Sequence, residues 1–194
     1  MQLLYTPRSH YSRKVRLVLG ALGLEATLVD VGNAAVAQAA VFGPNPLMKV
    51  PTLVDDDCVV FDSDHIAQYL VHRYDPDDRL GVLDGRVATL NARAVMNGAM
   101  AAEVELILAA RTGIDTAAHV RFDKMRGAID GALAWLEANV GVFLETPSYL
   151  GFHLVSLWDH LALYDLRPLA AYPRLHALAA HLNAHPAIAA SRPV

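Results

Sequence analysis

The proline at position 51 constrains the fold of this chain more than any other single residue. It directly precedes the apolar run 52–54, and because proline has no N–H to donate to a sheet ladder, it belongs at the first position of a strand. We predict that the Val50-Pro51 bond is cis, which turns the preceding backbone outward. The N–H and C=O groups of Val50 are then available to a peptide-like ligand.

A second piece of the same predicted site follows shortly after this strand. Asp62 and Ser63 stand at the head of an apolar helical pattern, which places them at a helix N terminus. Such an end has unpaired N–H groups and a partial positive charge, and both favour a carboxylate. The two pieces together predict a binding site for a small acidic peptide.

The first part of the chain has the element order of a thioredoxin-like domain. Short apolar runs bounded by turn residues predict strands at 2–6, 26–31, 52–54 and 58–61. Helical spacing predicts helices at 9–22 and 63–74, and more weakly at 33–42. The order is βαβαββα, with the first two strands parallel and the last two forming a hairpin.

Turn residues at 75–78 mark a domain boundary, and no strand pattern follows them. Helical periodicity continues at 80–111, 117–140, 157–166 and 174–185. Ser156 and Asp159 are spaced like a capping box and are expected to start the third of these helices. We therefore predict an α+β protein, with a thioredoxin-like domain at 1–76, a linker at 77–84 and an all-helical domain at 85–194.

Composition excludes several classes of function. The formal net charge is only −4, without long blocks of like charge, which argues against a nucleic-acid partner. No apolar run approaches the ~20 residues that cross a bilayer, so no membrane association is expected. The N terminus lacks a secretory pattern, and the single Cys58 suits a reducing compartment, so a cytoplasmic location is expected. The nine histidines are scattered, and no metal is predicted.

Three motifs, in this order, resemble those of the cytosolic glutathione transferase family, and the likeness extends over nearly all of the chain. They are the segment 9–16, Lys49-Val50-Pro51 with Asp62-Ser63, and the segment 156–159. In that family a Val-Pro dipeptide pairs with the cysteinyl backbone of glutathione, and an acidic residue followed by Ser holds the γ-glutamyl end. The resemblance implies these roles for Val50, Pro51, Asp62 and Ser63. It also implies a homodimer with residues 80–111 at the interface.

The resemblance further implies that the glutathione thiolate attacks a small apolar electrophile, as in detoxification. A thiol with a pKa of ~8.5 needs a hydrogen-bond donor or a helix N terminus to become a thiolate near neutral pH. Ser9 opens the first helix and matches the serine of bacterial Ser-type members, although an ordinary N-cap also favours serine there. Tyr5, at the end of the first strand, matches Tyr-type members and is the alternative donor. Cys58 lies in the hairpin, away from the redox position of the superfamily.

Two features depart from the family pattern. His10 replaces a common proline; we expect it to be solvated in the first turn, with contact to the thiol as the alternative. The family often holds the glycine carboxylate with a basic residue near the second helix, whereas residues 31–44 contain none, which leaves Lys49 as the candidate.

The electrophile is expected in a cleft lined by His10, Tyr11, Met96 and Met100. Two other functions stay open at this point: a binding or scaffold protein without turnover, and a glutathione-dependent isomerase or dehalogenase of the same fold.

Overall fold

The computed structural model describes residues 1–35 and 38–193, which form two compact units. The first unit comprises Met1–Leu83 together with the C-terminal stretch that begins at His185, and the second comprises Asp84–Ala184. The sequence placed the whole C-terminal stretch in the helical domain. In the structure this stretch belongs to the first unit, because Ile188 is buried there and its C=O accepts a hydrogen bond from the Arg13 guanidinium.

Four short strands form a single mixed sheet in the first unit. They are β1 (Gln2–Tyr5), β2 (Thr27–Asp30), β3 (Thr52–Asp55) and β4 (Cys58–Phe61). The sheet order is β2-β1-β3-β4, with β1 parallel to β2 and antiparallel to β3, and with β3 and β4 as an antiparallel hairpin. This confirms the predicted thioredoxin-like arrangement.

The described residues contain seven α-helices. They are α1 (His10–Ala21), α2 (Ser63–Tyr74), α3 (Val87–Arg111), α4 (Val120–Ala138), α5 (Tyr149–Leu163), α6 (Pro173–Asn183) and α7 (Pro186–Ala189). Helices α1, α2 and α7 belong to the first unit, and α3 to α6 form the second. The weak helix predicted at 33–42 is a 3-10 turn at Ala39–Phe42, and two residues of that prediction, Val36 and Ala37, lie outside the described residues.

Both faces of the central strand β1 are covered. Leu3 and Leu4 point to opposite faces of the sheet because side chains alternate along a strand, and both are buried. Leu4 packs with Val31 and Phe42, whereas Leu3 is paired in register with the fully buried Leu53. A sheet covered on both faces leaves its strand ends as the natural place for a ligand site.

The second unit is entirely helical, as predicted. Its helix α3 spans 25 residues and packs against α4 and α5. The prediction started this helix at position 80, but Asp78 accepts hydrogen bonds from the N–H groups of Val82 and Leu83 and keeps that segment in a turn. Across the described part of the chain, none of the helices combines the length and apolar character of a membrane span.

The prediction for the start of α5 is wrong. The helix begins at Tyr149, where Ser148 is the N-cap and its Oγ accepts from the N–H of Gly151 at 3.2 Å. Ser156 is fully buried in the middle of the helix, and Asp159 accepts a hydrogen bond from the side chain of Asn183 instead of capping. The first two turns of α5 are buried on all sides, so they lack the period that marks an amphipathic helix.

Candidate functional site at one end of the sheet

Three strands reach the same end of the sheet, and the register of their pairing shows it. Leu4 of β1 pairs with Thr52 of β3, which pairs in turn with Phe61 of β4. Because β3 is antiparallel to both neighbours, β1 and β4 end where β3 begins. The segments that carry Ser9, Val50 and Asp62 therefore leave the sheet at one end.

Ser9 is the N-cap of α1, and its hydroxyl oxygen already accepts one hydrogen bond. Its Oγ accepts from the N–H of Ser12 at 3.1 Å, and its own N–H donates to the C=O of Thr6 at 3.1 Å. A hydroxyl that accepts through its oxygen keeps its proton for donation. An anion beside Ser9 can therefore receive that proton as a hydrogen bond, next to the positive end of a helix.

Tyr5 is oriented differently. It is the last residue of β1, and the guanidinium carbon of Arg16 lies 5.5 Å from the centre of its ring. Arg16 follows Ser9 by seven positions, or roughly 10 Å along a helix with 1.5 Å rise per residue. The ring of Tyr5 thus packs against the side chain of Arg16 on α1.

The loop before β3 is held by one buried amide that sequence reasoning missed. Asn45 is 4% exposed, and its side-chain nitrogen donates to the C=O of Lys49 at 3.0 Å and to Oγ1 of Thr52 at 2.9 Å. Its Oδ1 accepts from the N–H of Leu47 at 2.9 Å. The available signal was an Asn-Pro pair in a turn segment, which does not indicate how deeply the amide is buried.

This loop presents the backbone of Val50. The Val50-Pro51 bond is cis, which confirms the prediction. Within residues 1–35 and 38–193, no backbone group forms a hydrogen bond with the N–H or C=O of Val50. The side chain of Lys49 is exposed and makes no ion pair in the described part of the chain. The loop therefore offers one backbone donor, one backbone acceptor and one cation.

The third segment starts α2. Asp62 is the N-cap, and its Oδ1 accepts from the N–H of Asp64 at 2.8 Å and from that of His65 at 3.4 Å, which leaves Oδ2 outside these bonds. Its φ of 70° is unusual for a residue other than glycine, and such strain is common at ligand sites. Ser63 follows as the first helical residue and is 2% exposed.

Lys14 was also missed as part of this region. Its side chain is completely buried, and its Nζ lies 2.8 Å from Oδ1 of Asp64. A lysine inside an apolar helical pattern gives no signal of its partner, because the partner lies 50 positions away in the sequence.

The structure corrects two expectations about the second-substrate cleft. His10 is not solvated: it is 2% exposed, and its ring centre lies 4.4 Å from that of the half-buried Tyr11. Met96 and Met100 have no exposed surface, and Sδ of Met100 lies 3.2 Å from Nε2 of His153. Both methionines are core residues of the helical unit, so the structure gives no support to the cleft predicted for them.

Residues 3–78 match the model of a family described as the glutathione S-transferase N-terminal domain. Solved structures resemble the whole chain. A glutathione S-transferase from Methylobacterium radiotolerans in complex with glutathione sulfonate has a TM-score of 0.85 at 26% identity, covering 99% of this chain and 94% of that chain.

Two further structures share the fold. A glutathione S-transferase from Methylobacillus flagellatus with glutathione bound has a TM-score of 0.83 at 24% identity, covering 100% of this chain and 99% of that one. A maleyl pyruvate isomerase, described as a bacterial glutathione S-transferase of the zeta class, has a TM-score of 0.80 at 21% identity, covering 100% and 97%. The match over residues 3–78 shows a glutathione S-transferase N-terminal domain, and the chain has the glutathione S-transferase fold.

Proposed function

We propose that this protein binds glutathione at the strand-end site and conjugates its thiolate to small apolar electrophiles. The observation that carries the proposal is the register Leu4–Thr52–Phe61, because it gathers three segments of different chemistry at one end of the sheet. Similar structures from Methylobacterium radiotolerans and Methylobacillus flagellatus, with glutathione sulfonate and glutathione bound, support glutathione as the ligand.

Each segment has a distinct part in holding the tripeptide. The N–H and C=O of Val50 pair with the cysteinyl backbone. Oδ2 of Asp62 accepts from the γ-glutamyl ammonium, and Ser63 donates to the γ-glutamyl carboxylate at the N terminus of α2. The ammonium of Lys49 serves the glycine carboxylate.

Ser9 acts on the sulfur. Its hydroxyl proton, together with the positive end of α1, stabilises the thiolate and lowers the thiol pKa from its ordinary ~8.5. The thiol proton passes to solvent, a sulfur–carbon bond forms, and the leaving group departs with its electron pair. Tyr5, the last residue of β1, is the alternative donor.

We further propose a cytoplasmic homodimer. Two apolar side chains near the start of α3, Val87 and Leu90, are 71% and 47% exposed, and a partner surface would cover them. Light scattering on the purified protein tests the dimer directly. A monomer at micromolar concentration contradicts it.

The test of the function measures binding and turnover separately. Titration calorimetry should detect glutathione binding, and ligand at ~100 times its dissociation constant should stabilise the fold by roughly 2.7 kcal/mol. Ser63→Ala should weaken binding, because a hydrogen bond to a charged acceptor contributes ~1.5–3 kcal/mol. Ser156→Ala, a serine without a side-chain hydrogen bond in the helical unit, is the matched control and should leave affinity unchanged.

Turnover is then assayed with a chlorinated nitroarene. Conjugation with loss of chloride supports the transferase. Binding without turnover of this electrophile supports a scaffold protein, and an isomerase would be recognised by turnover of an isomerisable substrate that leaves glutathione unconsumed. Absence of binding at millimolar glutathione overturns the proposal.

A further inference from the structure

Lys14 carries a positive charge on a fully buried side chain, and the pattern of α1 alone does not account for that burial. Its side chain has no exposed surface, whereas lysine is almost never fully buried unless it is paired. Its Nζ lies 2.8 Å from Oδ1 of Asp64, whose side chain is 16% exposed, and 5.7 Å from the ring centre of Tyr11. A buried ammonium carries a desolvation cost that only close partners offset.

The pair joins the two helix ends of the proposed site. Lys14 lies one turn after the N-terminal turn of α1, the helix that Ser9 caps. Asp64 is the second residue of α2 and directly follows Ser63. Lys14 therefore reaches the first turn of the helix that is proposed to hold the γ-glutamyl group.

Asp64 makes that helix end unusually negative for a carboxylate site. With Asp62 at the N-cap, two carboxylates occupy positions at which the helix otherwise presents positive charge. Asp62 already accepts from the N–H groups of Asp64 and His65. Asp62 is usefully placed for the ligand ammonium, but Asp64 has no such role in the proposed pose, and its charge opposes the ligand carboxylate.

We propose that Lys14 is a positioning residue of the glutathione site: it offsets the charge of Asp64 and so keeps the N terminus of α2 attractive to the γ-glutamyl carboxylate. The inference rests on the proposed function. Lys14 lies outside the segments that are proposed to touch the ligand, and it contributes a local charge balance that those segments alone do not provide.

The test is a double-mutant cycle measured by calorimetry. The four proteins are the wild type, Lys14→Met, Asp64→Asn and the double variant. Each is titrated with glutathione and with an analogue whose γ-glutamyl α-carboxylate is a carboxamide. Lys14→Met should weaken glutathione binding about tenfold, the scale of one partly screened charge–charge interaction.

The affinities of the double variant and of the carboxamide analogue distinguish an effect of the Lys14 charge from an effect of its packing. The double variant should bind glutathione within about twofold of the wild type, because both charges leave together. The carboxamide analogue should bind the wild type and Lys14→Met within about twofold of each other, since it has no carboxylate for Asp64 to oppose. A merely structural role for Lys14 would weaken both ligands equally.

Two controls keep the test decisive. Lys124→Met removes one positive charge from an exposed position of the helical unit and should not change affinity. Lys14→Gln removes the charge and keeps a hydrogen-bond donor on a shorter side chain, so it replaces Lys14→Met in the cycle if the latter does not fold. Equal affinities of wild type and Lys14 variants, or equal losses for both ligands, overturn the inference while leaving the proposed function intact. A wild type that binds neither ligand overturns both.

Discussion

The two units of this protein bury polar side chains in different places. In the first unit several buried polar groups lie at strand and helix ends, as with Asn45 in the loop before β3 and Ser63 at the start of α2. In the second unit they lie on the facing sides of long helices. Glu103 of α3 is fully buried against His160 of α5, where its carboxylate pairs with Nδ1 of the imidazole.

The same helix pair has further polar contacts along its length. The guanidinium carbon of Arg93 lies 5.2 Å from the ring centre of Tyr149, and Met100 contacts His153. These partners come from different helices, so their contacts depend on how two helix faces meet. The strand-end groups are fixed mainly by turns and caps, within a few positions in sequence. The polar contacts between helices therefore stabilise the fold, whereas the turn and cap positions at the strand ends carry the groups that are proposed to hold the ligand.

The largest expected effect comes from breaking the polar contact inside the helical unit. Glu103→Ala should lower the free energy of unfolding by ~3–5 kcal/mol, because removing one partner of a buried pair leaves the other without compensation. Urea unfolding followed by circular dichroism measures it. Replacing both partners, as Glu103→Met with His160→Leu, should recover most of the loss. A loss below ~1 kcal/mol in the single variant contradicts a structural role for this pair.

In the first unit, the contribution of Asp55 and its two tyrosine partners to the free energy of unfolding should depend on pH. Burial raises the pKa of the Asp55 carboxyl, but hydrogen bonds from Tyr74 and Tyr69 outweigh it and hold the pKa below the ordinary 3.8. Burial and the bond to Asp55 raise the pKa of Tyr69 to about 12, so its phenol donates at neutral pH. Tyr69→Phe should cost ~1.5–3 kcal/mol there, the value of a hydrogen bond to a charged group.

The sign of the pH dependence follows from the lowered pKa of Asp55. Its stabilising contribution is complete above pH 3.8 and is lost as the pH falls through the lower value of the folded state. The difference between wild type and Tyr69→Phe should therefore shrink when unfolding is measured below pH 3.8. A difference that is constant from neutral to acid pH excludes Asp55 as the acceptor that matters.

The smallest expected changes in stability come from Ser148, the N-cap of α5 in the structure, and Ser156, the cap predicted from the sequence. Ser148→Ala should cost ~0.5–2 kcal/mol, because it removes the hydrogen bond to the N–H of Gly151. Ser156→Ala should be neutral or slightly stabilising, since its buried hydroxyl has no hydrogen-bond partner among the described residues and alanine favours helix. Thermal unfolding of the two variants side by side decides between the caps, and the reverse order contradicts the structure.

The same contrast explains what could be predicted from the sequence. Pro51 and the start of α2 at Ser63 follow from local rules about donors and caps, and the structure agrees with both. The burial of His10, the amide of Asn45 and the partner of Lys14 depend on tertiary packing, which a periodic pattern does not encode. The start of α5 was missed because a helix that is buried on all sides has no period to reveal its first turn.

The central claim is that Ser9 stabilises the thiolate of bound glutathione, and the most direct measurement is the pKa of that thiol. Ultraviolet thiolate absorbance, titrated at saturating glutathione, should give the wild type and Tyr5→Phe a pKa well below the ordinary ~8.5, and Ser9→Ala a value close to it with an unchanged dissociation constant. If Ser9→Ala keeps the lowered pKa while Tyr5→Phe loses it, the donor is Tyr5 and the account of this site is wrong.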